Sequence, residues 1–316
     1  MRFFGVSEEN GFGESVDTID MYVDAPSVSF NLSGSTDIKV PTAMGRTEKQ
    51  AKKGKRNSSG SFDVPVDVDF FEFIIALALN GTNEDVDGNK TFFATDKKEL
   101  KSFRAMVGKE EYQEIYRGHV ASEISLNVSE ELVNMSVSTV GGDVKRFEGS
   151  DMKTEEEIYS NYVESLPFAF HEMTLKVDGK EIDNKDLKMS LNNNANIDNA
   201  HRNGSKLPRK IKGNKLEVGL DMKIFNDDAL ELLNKFDSEE IVYFPVEMTF
   251  ELDGDKITIT LPKCTVDGDT NDYSNFDEMF PAIKIATYST DVSVNGEDVF
   301  TNIYTEVEKA SNVSEI

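Results

Sequence analysis

Residues 62–69, FDVPVDVD, alternate strictly: Phe62, Val64, Val66 and Val68 are apolar, and Asp63, Asp67 and Asp69 are acidic. A period of two sends successive side chains to opposite faces of a strand, here one buried and one wet. The pattern returns 154 residues on. Leu216, Val218, Leu220 and Met222 take the apolar places, and Glu217 and Asp221 take those of Asp63 and Asp67. Upstream, Lys52, Lys55 and Arg56 correspond to Lys206, Arg209 and Lys210. A basic segment feeding an acidic-faced strand therefore occurs twice. A tandem duplication is the condition that any fold of this chain must meet.

A chain of 316 residues has room for two domains, each with a core of its own. We place the first at 1–145, a connector at 146–166, the second at 167–309 and a tail, expected to be disordered, at 310–316. The net charge of −25 argues against a binder of duplex DNA or of an anionic membrane, which like charge would repel. Cys264 is the single cysteine, so no intramolecular disulfide forms, as suits a reducing cytosol. The N-terminus has no apolar core of a signal peptide. The longest apolar run, Phe70–Leu79, contains Glu72 and is too short to span a bilayer.

Along the chain, residues 1–26 have no period, with Gly5, Gly11 and Gly13 interrupting it, and read as an extended arm that becomes ordered against something else. Ser27–Ser33 alternates as a short strand. Phe70–Leu79 and Asp227–Lys235 read as matching helices; Asp227 is expected to cap the second, and Ala229, Leu230 and Leu233 to form its apolar face. Asn80–Asn89 is a turn cluster, and Thr91–Thr95 and Lys101–Val107 suit a hairpin. Gly118–Val128 and Glu131–Val140 complete the first half. In the second, Met173–Val177 leads, Ile241–Leu252 and Lys256–Pro262 are paired strands joined at Asp253-Gly254-Asp255, and Lys263–Val266 and Ala282–Val294 close it. Glu155–Val163 suits a short helix in the connector.

The basic segments stand out from so acidic a chain. Residues 36–57 hold seven bases and two acids, and residues 193–214 hold five bases and one acid. Long structureless loops in compact domains are usually functional. Nucleic-acid binding is disfavoured because no aromatics are interleaved for base stacking. The remaining readings are a solvated loop and, preferred here, docking onto the acidic surface of another copy through Lys52, Lys55, Arg56, Lys206, Arg209 and Lys210.

Sites of chemistry are missing. The Gly-Lys pairs at 54–55 and 108–109 lack the glycine spacing and the Ser/Thr of a phosphate loop. His119, His171 and His201 have no metal-ligand spacing to each other or to Cys264. Asp267-Gly-Asp269-Thr-Asn271-Asp272 with Glu278 resembles a calcium loop, but its sixth position is Asp272 rather than glycine, so a plain acidic loop is preferred. No local motif supplies a nucleophile with its base. We expect no enzyme, cofactor or metal.

The order of these features resembles the tail tube proteins of tailed bacteriophages and related archaeal viruses, in their two-domain form. The resemblance rests on GVSEENGFGES at the start, GKRNSSGSFDVPVDVDFFEFIIALAL in the first half, and the stretch from LKMSLNNN to NDDALELL with ITITLPKCTVDGD in the second. It implies a mainly β (α+β) fold: two tandem β-sandwich domains, each with one flanking helix, whose inner sheets join those of neighbours into a barrel. It implies a ring of six such domains, hence three copies of this chain, stacked into the conduit for genome delivery. The partners implied are other copies of the chain and the tape-measure, tail-terminator and baseplate proteins, with genomic DNA only in transit and no membrane. The place implied is the virion tail, assembled in the host cytoplasm. Asp63, Asp67, Glu217 and Asp221 are candidates to face the lumen, where negative charge would let DNA slide. The alternative is a duplicated β-sandwich binding module of a baseplate or receptor-recognition apparatus; the lack of tryptophan counts against a glycan binder.

Overall fold

The computed structural model describes residues 2–24, 29–39, 52–86, 88–108, 111–129, 131–163, 165–270 and 281–310. The chain begins with strands β1 (Phe3–Glu8) and β2 (Met21–Asp24), then the hairpin arms β3 (Ser29–Lys39) and β4 (Lys52–Pro65). Helix α1 (Val68–Leu79) follows, then β5 (Asn80–Glu84), β6 (Lys90–Ala94), β7 (Phe103–Gly108), β8 (Tyr112–Val128), β9 (Asn134–Gly141) and β10 (Asp143–Glu148). After the short helix α2 (Glu155–Tyr159) come β11 (Met173–Val177), β12 (Lys180–Glu181), β13 (Asn184–Asn192) and β14 (Glu217–Ile224). Helix α3 (Asn226–Phe236) leads to β15 (Phe244–Leu252), β16 (Asp255–Thr270), β17 (Ala282–Thr287), β18 (Thr290–Val294), β19 (Glu297–Thr301) and β20 (Tyr304–Glu308). The fold is mainly β, as expected, and all the ladders between these strands are antiparallel.

Hydrogen-bonded neighbours in the first half run β2-β1-β7-β8-β9-β4-β3. In the second half they run β12-β11-β15-β16-β17-β14-β13. A further strand flanks the first part of each long central strand: β10 beside β8 and β20 beside β16. Two ladders cross between the halves, β8 with β13 and β6 with β20. One continuous set of buried residues runs from Phe4 to Val307 and holds side chains of both halves.

β8 changes sheets along its length. Tyr112–Arg117 lie between β7 and β10, whereas Glu123–Val128 lie between β9 and β13. The crossing is at Gly118, whose φ of +66° favours glycine, and at the fully buried His119. The His119 ring lies 2.7 Å from the Ser58 hydroxyl and 2.9 Å from that of Thr139, tying β8 to β4 and β9.

Several expectations are corrected. The N-terminal arm is ordered within its own chain rather than against something else: Phe3, Phe4 and Val6 are buried, and β1 pairs with both β2 and β7. Gly5 lies flat against Tyr22, whose ring would sit 2.5 Å from any Cβ there. Residues 36–57 are not a structureless loop, because β3 pairs with β4 out to Lys39 and Lys52; residues 40–51 lie outside the described residues. β6 and β7 do not pair with each other: β6 joins β5 and β20, and β7 joins β1 and β8. Asn80–Glu84, read as a turn, is strand β5. The tail 311–316 and the calcium-like stretch 271–280 lie outside the described residues, and Asp267–Thr270 belong to β16.

The strand over 62–69 stops at Pro65, and the helix starts at Val68. Asp67 is therefore not a solvent-facing strand acid. It is 7% exposed and caps α1, its Oδ1 accepting the Phe70 N–H at 2.8 Å. In α3 the N-cap position belongs to Phe225, not Asp227. Ala229 and Leu232 are buried and Leu233 half-buried, while Leu230 is exposed.

Burial raises the Asp67 pKa to about 6, against an ordinary aspartate value of 3.8. Its neutral form thus favours the fold fully below pH 3.8, and that contribution is lost as pH rises through 6. Asp67→Asn keeps the acceptor for Phe70 and removes the buried charge. The variant is expected to be more stable than the parent by about 2 kcal/mol at pH 8. Thermal melts should show that gap closing towards pH 4.

Candidate assembly surface

From β3 to the second part of β16 the strands form one unbroken run of eight: β3-β4-β9-β8-β13-β14-β17-β16. One face of the run is apolar: Phe62, Val137, Ile124, Met189, Leu220 and Ile285 are all buried. The opposite face is polar and made largely of short side chains. A row of residues in register crosses it: Asp63, Ser136, Ser125, Ser190, Gly219 and Ala286.

Asp63, Glu217 and Asp221 are exposed on that polar face. Asp221 sits in register between Lys188 and Lys284, the closest cross-strand spacing for opposite charges. Lys223, two residues along, pairs with Asp186 at 3.2 Å. The face is thus closer to charge balance than to a uniform negative field. Sequence reasoning picked the acids and passed over the serines. Their signal was present in the alternation of MSVSTV (135–140) and KMSL (188–191), where hydroxyl and apolar residues trade places.

The two basic segments, remote in sequence, lie side by side. The Arg56 N–H donates to the Lys206 carbonyl at 2.8 Å, and His201 Nε2 lies 2.6 Å from Asn57 Oδ1. Lys52, Lys55, Lys206 and Arg209 are exposed. Arg56 is engaged within the chain: it pairs with Asp143 at 3.0 Å and donates to the Val144 carbonyl at 2.6 Å. Lys210 pairs with Glu99 at 2.5 Å, and that contact holds the Glu99 carboxyl below its usual range. The six residues expected to dock therefore divide into four outward-facing cations and two that fasten the segments to the chain. Beside them an open groove of about 850 Å³ is lined by Lys98, Arg202, Arg209, Lys210 and Lys212, with Glu99 opposing them.

The histidines do not converge. His119 is buried, His171 is exposed, and His201 packs against β4. Among the described residues no group of three or more His, Cys, Asp or Glu could hold a metal ion. Cys264 is buried and burial pushes its thiol up to about 12, which makes it a poor nucleophile. No described helix is long and apolar enough to cross a membrane.

No curated protein matches the chain. A family model described as phage tail tube protein matches residues 4–287, from β1 through β17.

Proposed function

This chain belongs to the phage tail tube protein family, and on that premise we propose that three copies close into a pseudo-sixfold ring and that the rings stack into the tube through which the genome passes. Membership makes it a structural protein of the virion tail. The observation that carries the finer reading is the strand order met twice in one chain, with both occurrences joined into a single eight-stranded run. We read the two occurrences, 1–145 and 167–309, as duplicated domains linked through 146–166, although β10 extends the first into the linker.

Three copies would bring twenty-four strands to one barrel. At about 4.8 Å between strands and a tilt near 40°, its backbone would be roughly 45–50 Å across. The polar face would line the bore. Asp63 and Glu217 would present charge there, and Lys188, Lys223 and Lys284 would stand beside Asp221 and Asp186, so DNA would meet mostly short hydroxyl and amide groups and lysines already matched by acids. Asp67, as a helix cap, takes no part. Tape-measure, terminator and baseplate proteins would be the other contacts, in a tail assembled in the host cytoplasm. No chemistry is assigned.

Electron microscopy of the purified protein across a concentration series tests this reading. Rings with a central hole and three-fold symmetry are the expected result. Rings of six whole chains would keep the tube and remove the role given to the duplication.

The exposed cations would meet acidic surface on the next ring. Reversing two of them, Lys52→Glu with Lys206→Glu, is expected to abolish tube growth while leaving the melting temperature of the free chain within a degree or two, since both side chains are exposed. Tubes of ordinary length from this variant would refute the docking role.

A further inference from the structure

The eight-stranded run has two ends. Among the described residues β3 pairs with β4 alone, and residues 265–270 of β16 pair with β17 alone. Proteins usually protect exposed edges with lysine, proline or inward charge. Asn31–Ser35 carry none of these, and residues 265–268 carry one charge, the exposed Asp267.

The chain also contains the answer to what such edges meet. Matching the two halves at their helix starts sets Val64 against Met222 and Phe62 against Leu220. Following the ladders outwards from there equates Ser33 with Asn192, Leu32 with Leu191 and Asn31 with Ser190. In the other direction it equates Thr265 with Glu123, Val266 with Ile124 and Gly268 with Ser125. In these terms the free edge of β3 corresponds to β13, and the free edge of β16 corresponds to the second part of β8. Those two counterparts pair inside the chain: Asn192 with Glu123, Leu191 with Ile124, and Ser190 with Ser125.

We propose that the edge of β3 in one copy pairs antiparallel with residues 265–268 of β16 in the next, in the register of the internal ladder: Ser33 opposite Thr265, Leu32 opposite Val266 and Asn31 opposite Gly268. The proposal rests on the ring reading above and names the seam by which the ring closes. The apolar pair in the middle suits it. Leu32 is half-buried at the rim of the core and Val266 is buried, so the seam would continue the apolar layer from one copy into the next.

The bulge of β8 lies between Ala121 and Glu123, just before the residues that pair with β13, whereas that of β16 lies between Val266 and Gly268, so the seam would carry Asp267 as one extra residue on the β16 side. The Tyr116 hydroxyl donates to the Leu32 carbonyl at 3.0 Å and holds β3 in place; a carbonyl with two lone pairs can accept again.

Cysteine cross-linking tests the register. Ser33 and Thr265 lie on the polar face, so Ser33→Cys with Thr265→Cys leaves the core untouched. Directly opposed residues in an antiparallel pair sit about 4.5–5.5 Å apart, within reach of a disulfide, whereas diagonal ones sit about 7–8 Å apart. Oxidised rings of this variant should run on a non-reducing gel as covalent dimers and trimers and nothing larger. The displaced pair Asn31→Cys with Thr265→Cys should stay monomeric on the gel. Rings that form without the first cross-link, or that cross-link equally in the displaced pair, would overturn the seam and leave the tube standing. A chain that makes no ring at any concentration would overturn both.

Discussion

Replacing Phe62 with alanine is expected to destabilise the free chain by about 3–5 kcal/mol, the usual cost of emptying a buried phenylalanine site. Phe62 is fully buried at the centre of an aromatic cluster. Its ring lies 4.8 Å from that of Phe4, 6.1 Å from Phe70 and 6.4 Å from Phe103, the last two edge-on. These partners come from β1, α1 and β7, so one side chain fastens the N-terminal strand, the helix and the second layer to β4. Edge-on aromatic pairs add about 0.5–1.5 kcal/mol each beyond the area they bury, which favours the upper end of the range. A melting temperature lower by roughly 6–15 °C is the measurement. Leu230→Ala is the comparison: that side chain is 61% exposed on α3, and its loss should stay within about 0.5 kcal/mol.

The second large effect is acid lability centred on His119. Burial lowers its pKa from 6.5 to about 3, because a charge there would be stripped of water with only two hydroxyls to face it. The folded chain keeps the ring neutral where an unfolded chain would protonate it. The contribution to stability is whole above pH 6.5 and is lost progressively as pH falls towards 3. Spread over that interval, the linkage amounts to about 4–5 kcal/mol. Denaturant titrations at pH 7.5 and 4 should show it in the wild type. His119→Gln is expected to be less stable at pH 7.5, having lost a fitted ring between Ser58 and Thr139, and to lose less on going to pH 4. Equal pH dependence in the two proteins would show that the acid response belongs elsewhere.

What could be read from the sequence follows from how each strand is buried. β4 and β14 have one apolar and one polar face, so their period of two was visible. The turn of β15 and β16 was visible because Asp253 and Gly254 both take positive φ, 50° and 95°, as the tightest hairpins require. β1 escaped because it is buried on both sides and interrupted by Gly5, so it shows neither alternation nor a long apolar run. The outer arms of β3 and β4 escaped for the opposite reason: they are exposed and basic, and a ladder of backbone hydrogen bonds leaves no mark on polarity. The 154-residue spacing read from the alternation differs from the spacing of the helix starts. A period-two pattern overlies itself at any even shift, and only the helix starts, Val68 and Asn226, set the spacing at 158 rather than 154. Partners such as β6 with β20 were beyond reach, since alternation assigns a strand its faces and not its neighbours.

The ladder between β8 and β13 has a consequence for how quickly a ring could be made. Its two strands belong to one chain, so they meet at an effective concentration set by the tether between them, whatever the amount of protein present. Half the joints of a six-domain ring would then be in place when each chain finishes folding, and only three encounters would remain to diffusion. The chain would reach a closed ring at protein levels where separate domains with the same edges would still be single.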